Sequence, residues 1–452
     1  MYLAVATVTA KYIFMFIIMK RSVVYSLSCL VGVIVYLFWA MPFRGMLNYH
    51  EEFQLFQTDA AYFCSHLIEK GGVAVYLSEF LIQFYNNYWI GALILALEFV
   101  LIQWLTFDIL KNTFLTWYNK HGYLLYFLSF VPMLFLWIVL GDVNVMHSLV
   151  IAVIIALLLI ELVIRIFKTK IYRFLGAAVA IVLFVWFTGT NHYRIPTMIL
   201  DMTNIYNPKT IELLDYDLLV RANRWEQIIM KAEKHQPDLP QSVCATNLAL
   251  GMTNQMGRRA GKFFQNGPEG LFPPFRKDPF STLTTAEVYF QLGLINTAQR
   301  YYFEAMEAAP NYKKSCRCIR RLAETNLING QYGVAQKYLH ILEKTHIYKK
   351  WAQRTLLLID GGEESIMKHP LYGRLRRMKL DEDFLYSDQE IDKICGRLLM
   401  QNHENVLSMQ YMLLYPLLEN NYDKFVQYML LVRDEVPYNQ EYASFEKYLR
   451  KQ

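Results

Sequence analysis

Acidic residues beside a histidine open the first loop that follows an apolar segment. His50, Glu51 and Glu52 are adjacent, and Asp59 comes shortly afterwards. A carboxylate in such a place can act as a general base on an acceptor hydroxyl, or hold a divalent metal ion. These four residues are therefore the candidate catalytic residues of the chain.

Polytopic glycosyltransferases that use lipid-linked sugars place a catalytic acidic residue in the same kind of loop, which makes such an enzyme one hypothesis. The alternative is that Phe53, Leu55, Phe56 and Tyr62 lie on a membrane interface while the carboxylates face water. We favour the second interpretation, because those enzymes usually contain more spans than this chain.

Glu98 is a second chemical candidate, because it lies in the middle of the apolar stretch ALILALEFVLIQ. A charged group at the centre of a membrane helix costs about 2.5–3.5 kcal/mol on insertion scales. Such a group faces other helices and finds a partner, for which His147 and Gln103 are the candidates. The sequence predicts a structural hydrogen bond between helices, with a proton relay or ligand contact as the alternative.

Basic residues near the middle of the polar half form a possible binding stripe. Lys313, Arg317, Arg320 and Arg321 have the spacing of one helix face. This stripe could contact an acidic peptide, a polysaccharide or lipid headgroups. A solvated helix face is the commoner explanation of such a pattern.

Several kinds of chemistry lack support in the sequence. The chain contains no GxxxxGK[ST], GxGxxG, HExxH or GxSxG pattern, so we predict no cofactor and no metal site. The net charge of +6, from 45 Lys and Arg against 39 Asp and Glu, is mild for 452 residues. No long basic run is present, and this argues against nucleic-acid binding.

Apolar segments long enough to cross a membrane must position these residues. Hydrophobic residues make up 54% of the chain, and most of the charge lies after Asn191. A membrane helix needs about 20 mostly apolar residues. We predict a transmembrane domain over residues 1–190, with spans at about 22–41, 89–107, 122–140, 145–164 and 171–190 and a kink in the third span at Pro132.

The charges of the loops predict the orientation of these spans. Basic residues precede the first span and lie between spans two and three and spans four and five, whereas residues 42–88 are mainly acidic. The positive-inside rule places the N-terminus in the cytoplasm and residues 42–88 outside it. Five crossings then place the C-terminal part outside, and a sixth span would reverse it.

Residues 200–452 carry a helical-repeat pattern. The tetratricopeptide repeat (TPR) is a helical hairpin of about 34 residues in which small residues allow close packing of two helices. Two clear copies and two weaker ones fit its glycine, aromatic and alanine offsets. The matching residues are Gly293, Ile295, Ala298, Tyr302, Ala305 and Pro310; Gly330, Tyr332, Ala335, Leu339 and Leu342; Asn420, Tyr422, Phe425, Met429, Val432 and Pro437; and Asn223, Trp225, Ile228, Ala232 and Pro240.

Three segments resemble those of a known protein family. They are HEEFQLF, GGVAVYLSEFLIQFY leading into WIGALILAL, and NLALGMTNQMGRRAGKFFQNGPEGL. The chain resembles, over most of its length, a family of uncharacterised multi-pass membrane proteins of Gram-negative anaerobes. The resemblance implies inner-membrane spans with a periplasmic TPR-like domain. It implies no known activity, so no catalytic residue can be transferred.

The sequence as a whole predicts an all-α protein with about five transmembrane helices and a TPR-like solenoid. We expect it in the cytoplasmic (inner) membrane of a bacterium, in contact with the lipid bilayer and with a protein or peptide partner. A non-enzymatic scaffold is the favoured function. A glycosyltransferase-like enzyme and a transporter subunit that depends on Glu98 are the alternatives.

Overall fold

Helices form both parts of the chain. The computed structural model describes residues 21–52, 54–166, 178, 181–182, 205–276, 279–309, 314–380 and 390–432, and every regular element in these ranges is a helix. The chain divides into an N-terminal unit, Met1–Asn207, and a C-terminal unit, Pro208–Gln452.

Among its described residues, the N-terminal unit has four helices long and apolar enough to cross a membrane, namely Val23–Ala40, Tyr88–Thr113, Leu115–Val139 and Ser148–Ile166. They correspond to the first four predicted spans. The predicted fifth span, 171–190, lies almost entirely outside the described residues. The helices are α1 Arg21–Ala40, α2 Arg44–Glu52, α3 Ala60–Ile68, α4 Gly72–Ile82, α5 Tyr88–Thr113, α6 Leu115–Leu128, α7 Val131–Val139 and α8 Ser148–Ile166.

The third span is broken at the expected proline. Helix α6 ends at Leu128, and α7 begins at Val131 with Pro132 in its first turn. Proline lacks the N–H that would continue the hydrogen-bond ladder of the preceding helix, and its ring has no room inside one. The sequence therefore determines the position of this break.

Close packing and hydrogen bonds join the long helices. Helix α1 packs on α5, and a Cβ atom added to Gly32 would lie 2.9 Å from Cγ2 of Val100. Gln103 on α5 accepts a hydrogen bond from Ser28 (2.8 Å) and donates one to Ser129 (2.8 Å). Gln103 thus faces α1 and the end of α6, and it is not the partner of Glu98 that one sequence interpretation considered.

The C-terminal unit consists of consecutive helices that pack on one another. They are α9 Pro208–Arg221, α10 Trp225–Lys234, α11 Pro240–Met252, α12 Met256–Arg259, α13 Pro279–Leu292, α14 Ile295–Glu307, α15 Cys316–Ile328, α16 Tyr332–Glu343, α17 Lys349–Asp360, α18 Gly362–Lys368, α19 Pro370–Met378, α20 Ile391–Gln401, α21 Val406–Leu418 and α22 Tyr422–Leu431.

One turn type recurs in this unit. Within the described ranges, five helices are followed by a residue with positive φ one or two positions after their end. The backbone N–H of the next residue donates to the carbonyl oxygen five positions before it, as in a Schellman motif. Four of the turn residues are those that the sequence register placed at the first offset of each repeat copy, and Asn254 is additional. The turn residues are Asn223 (φ 52°), Asn254 (55°), Gly293 (97°), Gly330 (78°) and Asn420 (58°), and their hydrogen bonds are Arg224 to Leu219, Gln255 to Leu250, Leu294 to Tyr289, Gln331 to Asn326 and Asn421 to Pro416.

The small and bulky residues of the register form the hairpin cores. Ala298 and Tyr302 of α14 are fully buried, as are Ala335 and Leu339 of α16. Alanine permits close approach of two helices while the larger side chains fill the space beside it. The predicted offsets therefore correspond to packing positions in both of the clear copies.

Candidate functional site

An arginine-lined cleft lies between several helices of the C-terminal unit. Helix α9 packs against α11 and α13, and α15 packs against α19. Side chains from all five helices line a cleft of about 370 Å³. Its arginines are Arg221 of α9, Arg317, Arg320 and Arg321 of α15, and Arg374 of α19.

Arg317 is held by a carboxylate on another helix. Its two terminal nitrogens donate to the two carboxylate oxygens of Asp217 on α9, at 2.6 and 3.0 Å. Both side chains are buried, with Arg317 only 5% exposed. A bidentate pair of this kind fixes the orientation of both partners as well as their separation.

Arg321 connects two more helices through buried carboxylates. It donates to Glu324 of its own helix at 2.6 Å and to Glu287 of α13 at 2.8 Å, and its guanidinium lies 4.3 Å from the ring centre of Phe290. Burial opposes the charge on Arg321, but Glu287 and Glu324 outweigh this effect and raise the pKa of the guanidinium.

Glu324 shows the reciprocal balance. Burial alone would raise its pKa, but Arg321 and Arg320 lower it, so the group stays ionised. Tyr372 of α19 also donates to Glu324, at 3.2 Å. Tyr302 of α14 donates to the other carboxylate, Glu287, at 2.8 Å. The wall of the cleft is therefore held in place by ionised, hydrogen-bonded groups.

The basic stripe predicted from sequence is only partly a solvated face. Arg317, Arg320 and Arg321 do lie together, but Arg317 is buried and Arg321 nearly so. Arg320 is the most exposed of them; it bonds Glu324 at 3.3 Å and lies over the ring of Trp351. The interpretation as a wholly solvated stripe is wrong, because the face packs against helices that contribute the buried carboxylates of Asp217 and Glu287. Lys313 lies outside the described residues.

Arg374 and Arg221 complete the cleft with neutral partners. Arg374 donates to the side-chain oxygen of Gln291 at 3.0 Å, and burial lowers the pKa of its guanidinium. Arg221 donates to the hydroxyl of Tyr348 at 2.8 Å. The hydrogen bond of Arg374 in the described part of the chain is therefore to a neutral side chain.

A buried polar chain crosses the N-terminal unit. Nε2 of His147 lies 2.7 Å from Oε2 of Glu98, and Nδ1 of the same ring lies 3.1 Å from Oγ of Ser78. Oε1 of Glu98 has no hydrogen-bond partner in the described part of the chain. Ser78, His147 and Glu98 thus follow the hydroxyl–imidazole–carboxylate order of a catalytic serine triad. Ser78, however, is 0% exposed, so no substrate can reach its oxygen in this conformation.

A second acid–histidine pair lies next to this chain. Glu79 follows Ser78 on α4; it accepts a hydrogen bond from Tyr62 and its Oε2 lies 3.2 Å from Nε2 of His66. Nδ1 of His66 lies 2.9 Å from the carbonyl oxygen of Tyr62. Since a carbonyl only accepts, Nδ1 carries hydrogen, and the contact between Nε2 and the carboxylate then requires one shared proton.

The first-loop acidic residues do not face water. Glu51 and Glu52 on α2 are 2% and 3% exposed, and His50 beside them is also buried. The expectation that these carboxylates are solvated is wrong. Helix α2 packs against α5 and against the short helical turn Gln83–Asn86 that precedes α5. Burial, reinforced by the charge of His147, lowers the pKa of His50 to about 3.

Asp59 has a local structural role. Its side chain caps α3 by accepting from the backbone N–H of Tyr62 at 2.9 Å. Within the residues that the structure describes, no group of three or more His, Cys, Asp or Glu side chains is placed to hold a metal ion. The divalent-metal interpretation of the first-loop acids therefore has no geometric support there.

Several site residues were not identified from the sequence. A lone charged residue in an apolar helix could have indicated Glu79 in VAVYLSEFLIQF, by the argument applied to Glu98. Asp217 is less distinct, because Asp215 lies beside it in LLDYDLLV. Arg221 and Arg374 carry no such signal, because each lies in an ordinary amphipathic context.

Comparisons with known proteins identify a family. No curated protein and no solved structure matches the chain. The sequence pattern of a family described as Family of unknown function (DUF6057) matches residues 19–200 and 191–447. Because these matches cover most of the sequence, the chain belongs to this family.

Proposed function

We propose that this protein is a membrane-anchored scaffold whose TPR-like C-terminal unit binds a protein or peptide partner. The observation that carries the proposal is the cleft, in which helices α9, α15 and α19 bring five arginines together. Helical-repeat proteins use the face formed by such helices as an extended binding surface.

The recurring turn supports the TPR-like assignment. Five turns of one geometry close helices of similar length, which is the arrangement expected of stacked repeats. The four apolar helices support anchoring in a membrane. Anchoring confines the binding surface to two dimensions and raises the effective concentration of any partner held at the same membrane.

Site-specific photo-cross-linking in intact cells tests this function. A photoreactive amino acid replaces Leu371, which lines the cleft, and in a matched control it replaces Arg377, which is exposed on the same helix outside the cleft. We expect a stoichiometric protein adduct from position 371 that is absent from position 377. Equal adducts at both positions, or none at 371, would contradict the proposal.

The proposed location is the inner membrane, with the C-terminal unit in the periplasm. The acidic first loop and the basic residues of the other loops support this orientation. Alkaline phosphatase fused after residue 452 should then be active. An inactive fusion with normal expression would place the unit in the cytoplasm.

A membrane enzyme is the second candidate, and the burial of Glu51 and Glu52 favours it. Adjacent ionisable side chains held inside a protein are candidates for catalysis. Loss of phenotype in Glu51→Gln or Glu52→Gln at normal protein level would support an enzyme. A normal phenotype in both variants would remove the hypothesis.

A further inference from the structure

Helices α3 and α4 form a pair with polar side chains inside and apolar side chains outside. We call this pair, with its turn at residues 69–71, the first-loop hairpin. Its buried polar groups are His66, Ser78 and Glu79, and Glu79 is only 2% exposed. Its exposed groups are large and apolar: Phe63, Leu67, Ile68, Val73, Leu77 and Phe80. Helices that face water have the opposite distribution.

The exposed side chains of α4 form one stripe. Val73, Leu77 and Phe80 are spaced i, i+4 and i+7, which is the spacing of one helix face. Ser78 points instead towards His147, which directly precedes α8. The described part of the chain therefore covers the polar face of α4 and leaves much of the apolar stripe open.

Close contacts fix the first-loop hairpin in this arrangement. A Cβ added to Gly72, at the start of α4, would lie 1.6 Å from the carbonyl oxygen of His66. Tyr62 donates to Glu79, and Oε2 of Glu79 lies 3.2 Å from Nε2 of His66. The apolar side chains cannot turn inward without separating these groups.

The first-loop hairpin lies beside helices that can cross a membrane. Helix α4 packs against α8, and Ser78 of α4 shares His147 with Glu98 of α5. From Tyr88, where α5 begins, to Glu98 is about 15 Å along the helix. Helix α4 is thus level with the apolar part of α5. The outer faces of the long helices expose side chains of the same kind, such as Leu97 of α5 and Leu162 of α8.

We propose that the first-loop hairpin is inserted into one leaflet of the membrane, with its apolar side chains among the lipid acyl chains. Hydrocarbon matches these side chains chemically, and the neighbouring long helices require hydrocarbon at the same level. Lipid therefore covers the stripe without the need for a second protein. The inference depends on the membrane anchoring proposed above, but not on the partner of the C-terminal unit.

The first-loop hairpin is too short to cross the membrane. Helices α3 and α4 have 9 and 11 residues, so they are about 14 and 17 Å long, against a hydrocarbon core of about 30 Å. Asp59 precedes α3, Asn86 follows α4, and the turn contains Glu69 and Lys70. Because these polar groups belong at the headgroups or in water, the chain enters and leaves on one side. Insertion of this kind adds no crossing, so the predicted orientation is unchanged.

Spin-label accessibility in the full-length protein tests the insertion. The protein is reconstituted in vesicles of phosphatidylcholine and phosphatidylglycerol, in a background with Cys29→Ala and Cys64→Ala, because the other four cysteines are buried. The label is attached at Leu77→Cys in the first-loop hairpin. Leu97→Cys is the membrane reference, and Lys368→Cys, at a side chain that is 74% exposed, is the aqueous reference.

Two relaxation reagents distinguish lipid from water, because oxygen concentrates in hydrocarbon and a nickel(II) chelate stays in water. The ratio of oxygen to nickel accessibility at position 77 should match that at 97 and exceed that at 368 several-fold. A ratio at 77 equal to that at 368 overturns the insertion, while a high ratio at 97 keeps the anchoring. Low access of both reagents at 77 means that protein covers the stripe, and this also overturns the proposal. A low ratio at 97 refutes the anchoring and the insertion together.

A charged substitution gives a second readout with a matched control. Leu77→Asp places a carboxylate among acyl chains, whereas Leu357→Asp places one on the C-terminal unit, at a side chain that is 70% exposed. We expect Leu77→Asp to lower the unfolding midpoint in vesicles and Leu357→Asp to leave it unchanged. An unchanged midpoint in Leu77→Asp would contradict the insertion, because a charge is tolerated there only if the stripe meets water.

Labelling from the two sides of the membrane tests the return to one side. Thr58→Cys and Asn86→Cys, in the same background, place exposed thiols before and after the first-loop hairpin. A membrane-impermeant maleimide should label both from the same side, either in spheroplasts or in inverted vesicles. Labelling of the two positions from opposite sides would show a complete crossing and would overturn the proposal.

Discussion

Asp217 and Arg317 are 100 positions apart in the chain, yet they form a buried bidentate ion pair at 2.6 and 3.0 Å. The pair joins the first helix of the C-terminal unit to the helix that carries most of the cleft arginines. It orients a wall of the cleft, and it is also part of the packed interior of that unit.

Removing one member of this pair should strongly destabilise the C-terminal unit. Asp217→Leu leaves a guanidinium buried without its carboxylate, and breaking a buried pair in this way costs about 3–5 kcal/mol. We expect a clear drop in the thermal unfolding midpoint of the detergent-solubilised protein. The double variant Asp217→Leu with Arg317→Leu should recover part of the loss, because no unpaired charge remains.

An exposed ion pair provides the comparison. Lys368 and Glu364 are paired on the surface, with both side chains more than 70% exposed. Such pairs contribute about 0–1 kcal/mol. Glu364→Gln should therefore leave the unfolding midpoint nearly unchanged, and a large effect would show that this region is coupled in a way that burial does not reveal.

A substitution at a hairpin turn should reveal the left-handed backbone there. Gly293 has φ 97°, and an added Cβ would lie 3.2–3.3 Å from atoms of Met378. Gly293→Ala should cost about 1–2 kcal/mol or more, because an L-residue is strained at this φ and Met378 must shift. Hydrogen exchange of α13 and α14 should then become faster.

Gly333 is the matched control for that substitution. It lies inside α16, where nothing comes within 4 Å of an added Cβ. Gly333→Ala should stabilise the helix by about 0.5–1 kcal/mol, because alanine has the higher helix propensity. Equal responses at the two glycines would exclude the left-handed conformation as the cause.

Local features of this fold were predictable from sequence. The apolar lengths located four helices that can span a membrane, and Pro132 located the break in one of them. The repeat register singled out Gly293 and Gly330 at its glycine offset, and both have the left-handed backbone of a turn that ends a helix. Asn254 was missed, since asparagine marks such a turn less distinctly than glycine.

The cleft was not predictable, because it depends on which helices become neighbours. The spacing of Arg317 and Arg321 places them on one helix face, but no local pattern tells whether that face meets water or carboxylates. Asp217 and Glu287 supply those carboxylates from helices distant in sequence. The expectation for Glu51 and Glu52 was wrong for the same reason, since their burial results from tertiary packing.

Burial of His50 predicts a pH-dependent stability of the N-terminal unit. Its pKa falls from 6.5 to about 3 on folding, so at intermediate pH the unfolded chain binds a proton that the folded chain does not. The free energy of unfolding is therefore unaffected by His50 above pH 6.5. It falls as the pH drops from 6.5 towards 3, by up to about 1.4 kcal/mol per pH unit.

Thermal unfolding between pH 7.5 and 5 measures this effect. His50→Leu should flatten the decline of the unfolding midpoint, because leucine cannot take up the proton. His235→Gln, at an exposed position of the C-terminal unit, should leave the decline as it is in the unmodified chain. A decline that is the same in all three proteins would assign the pH dependence to other groups.

The chain of Ser78, His147 and Glu98 predicts a ranking of two substitutions. His147→Leu leaves both the Ser78 hydroxyl and the Glu98 carboxyl without their shared partner, whereas Glu98→Gln keeps an oxygen that accepts from the imidazole. Unpaired buried polar groups cost about 1–3 kcal/mol each, so His147→Leu should lower the unfolding midpoint more.

The same two variants separate a structural role from a functional one. If these hydrogen bonds only join α4 and α5 to the residue that precedes α8, Glu98→Gln should preserve every cellular phenotype of the protein while His147→Leu reduces its level. A proton relay requires a titratable group at position 98, so Glu98→Gln would then abolish the phenotype at normal protein level. A normal phenotype in Glu98→Gln removes the transporter hypothesis, because glutamine cannot exchange the proton on which that function depends.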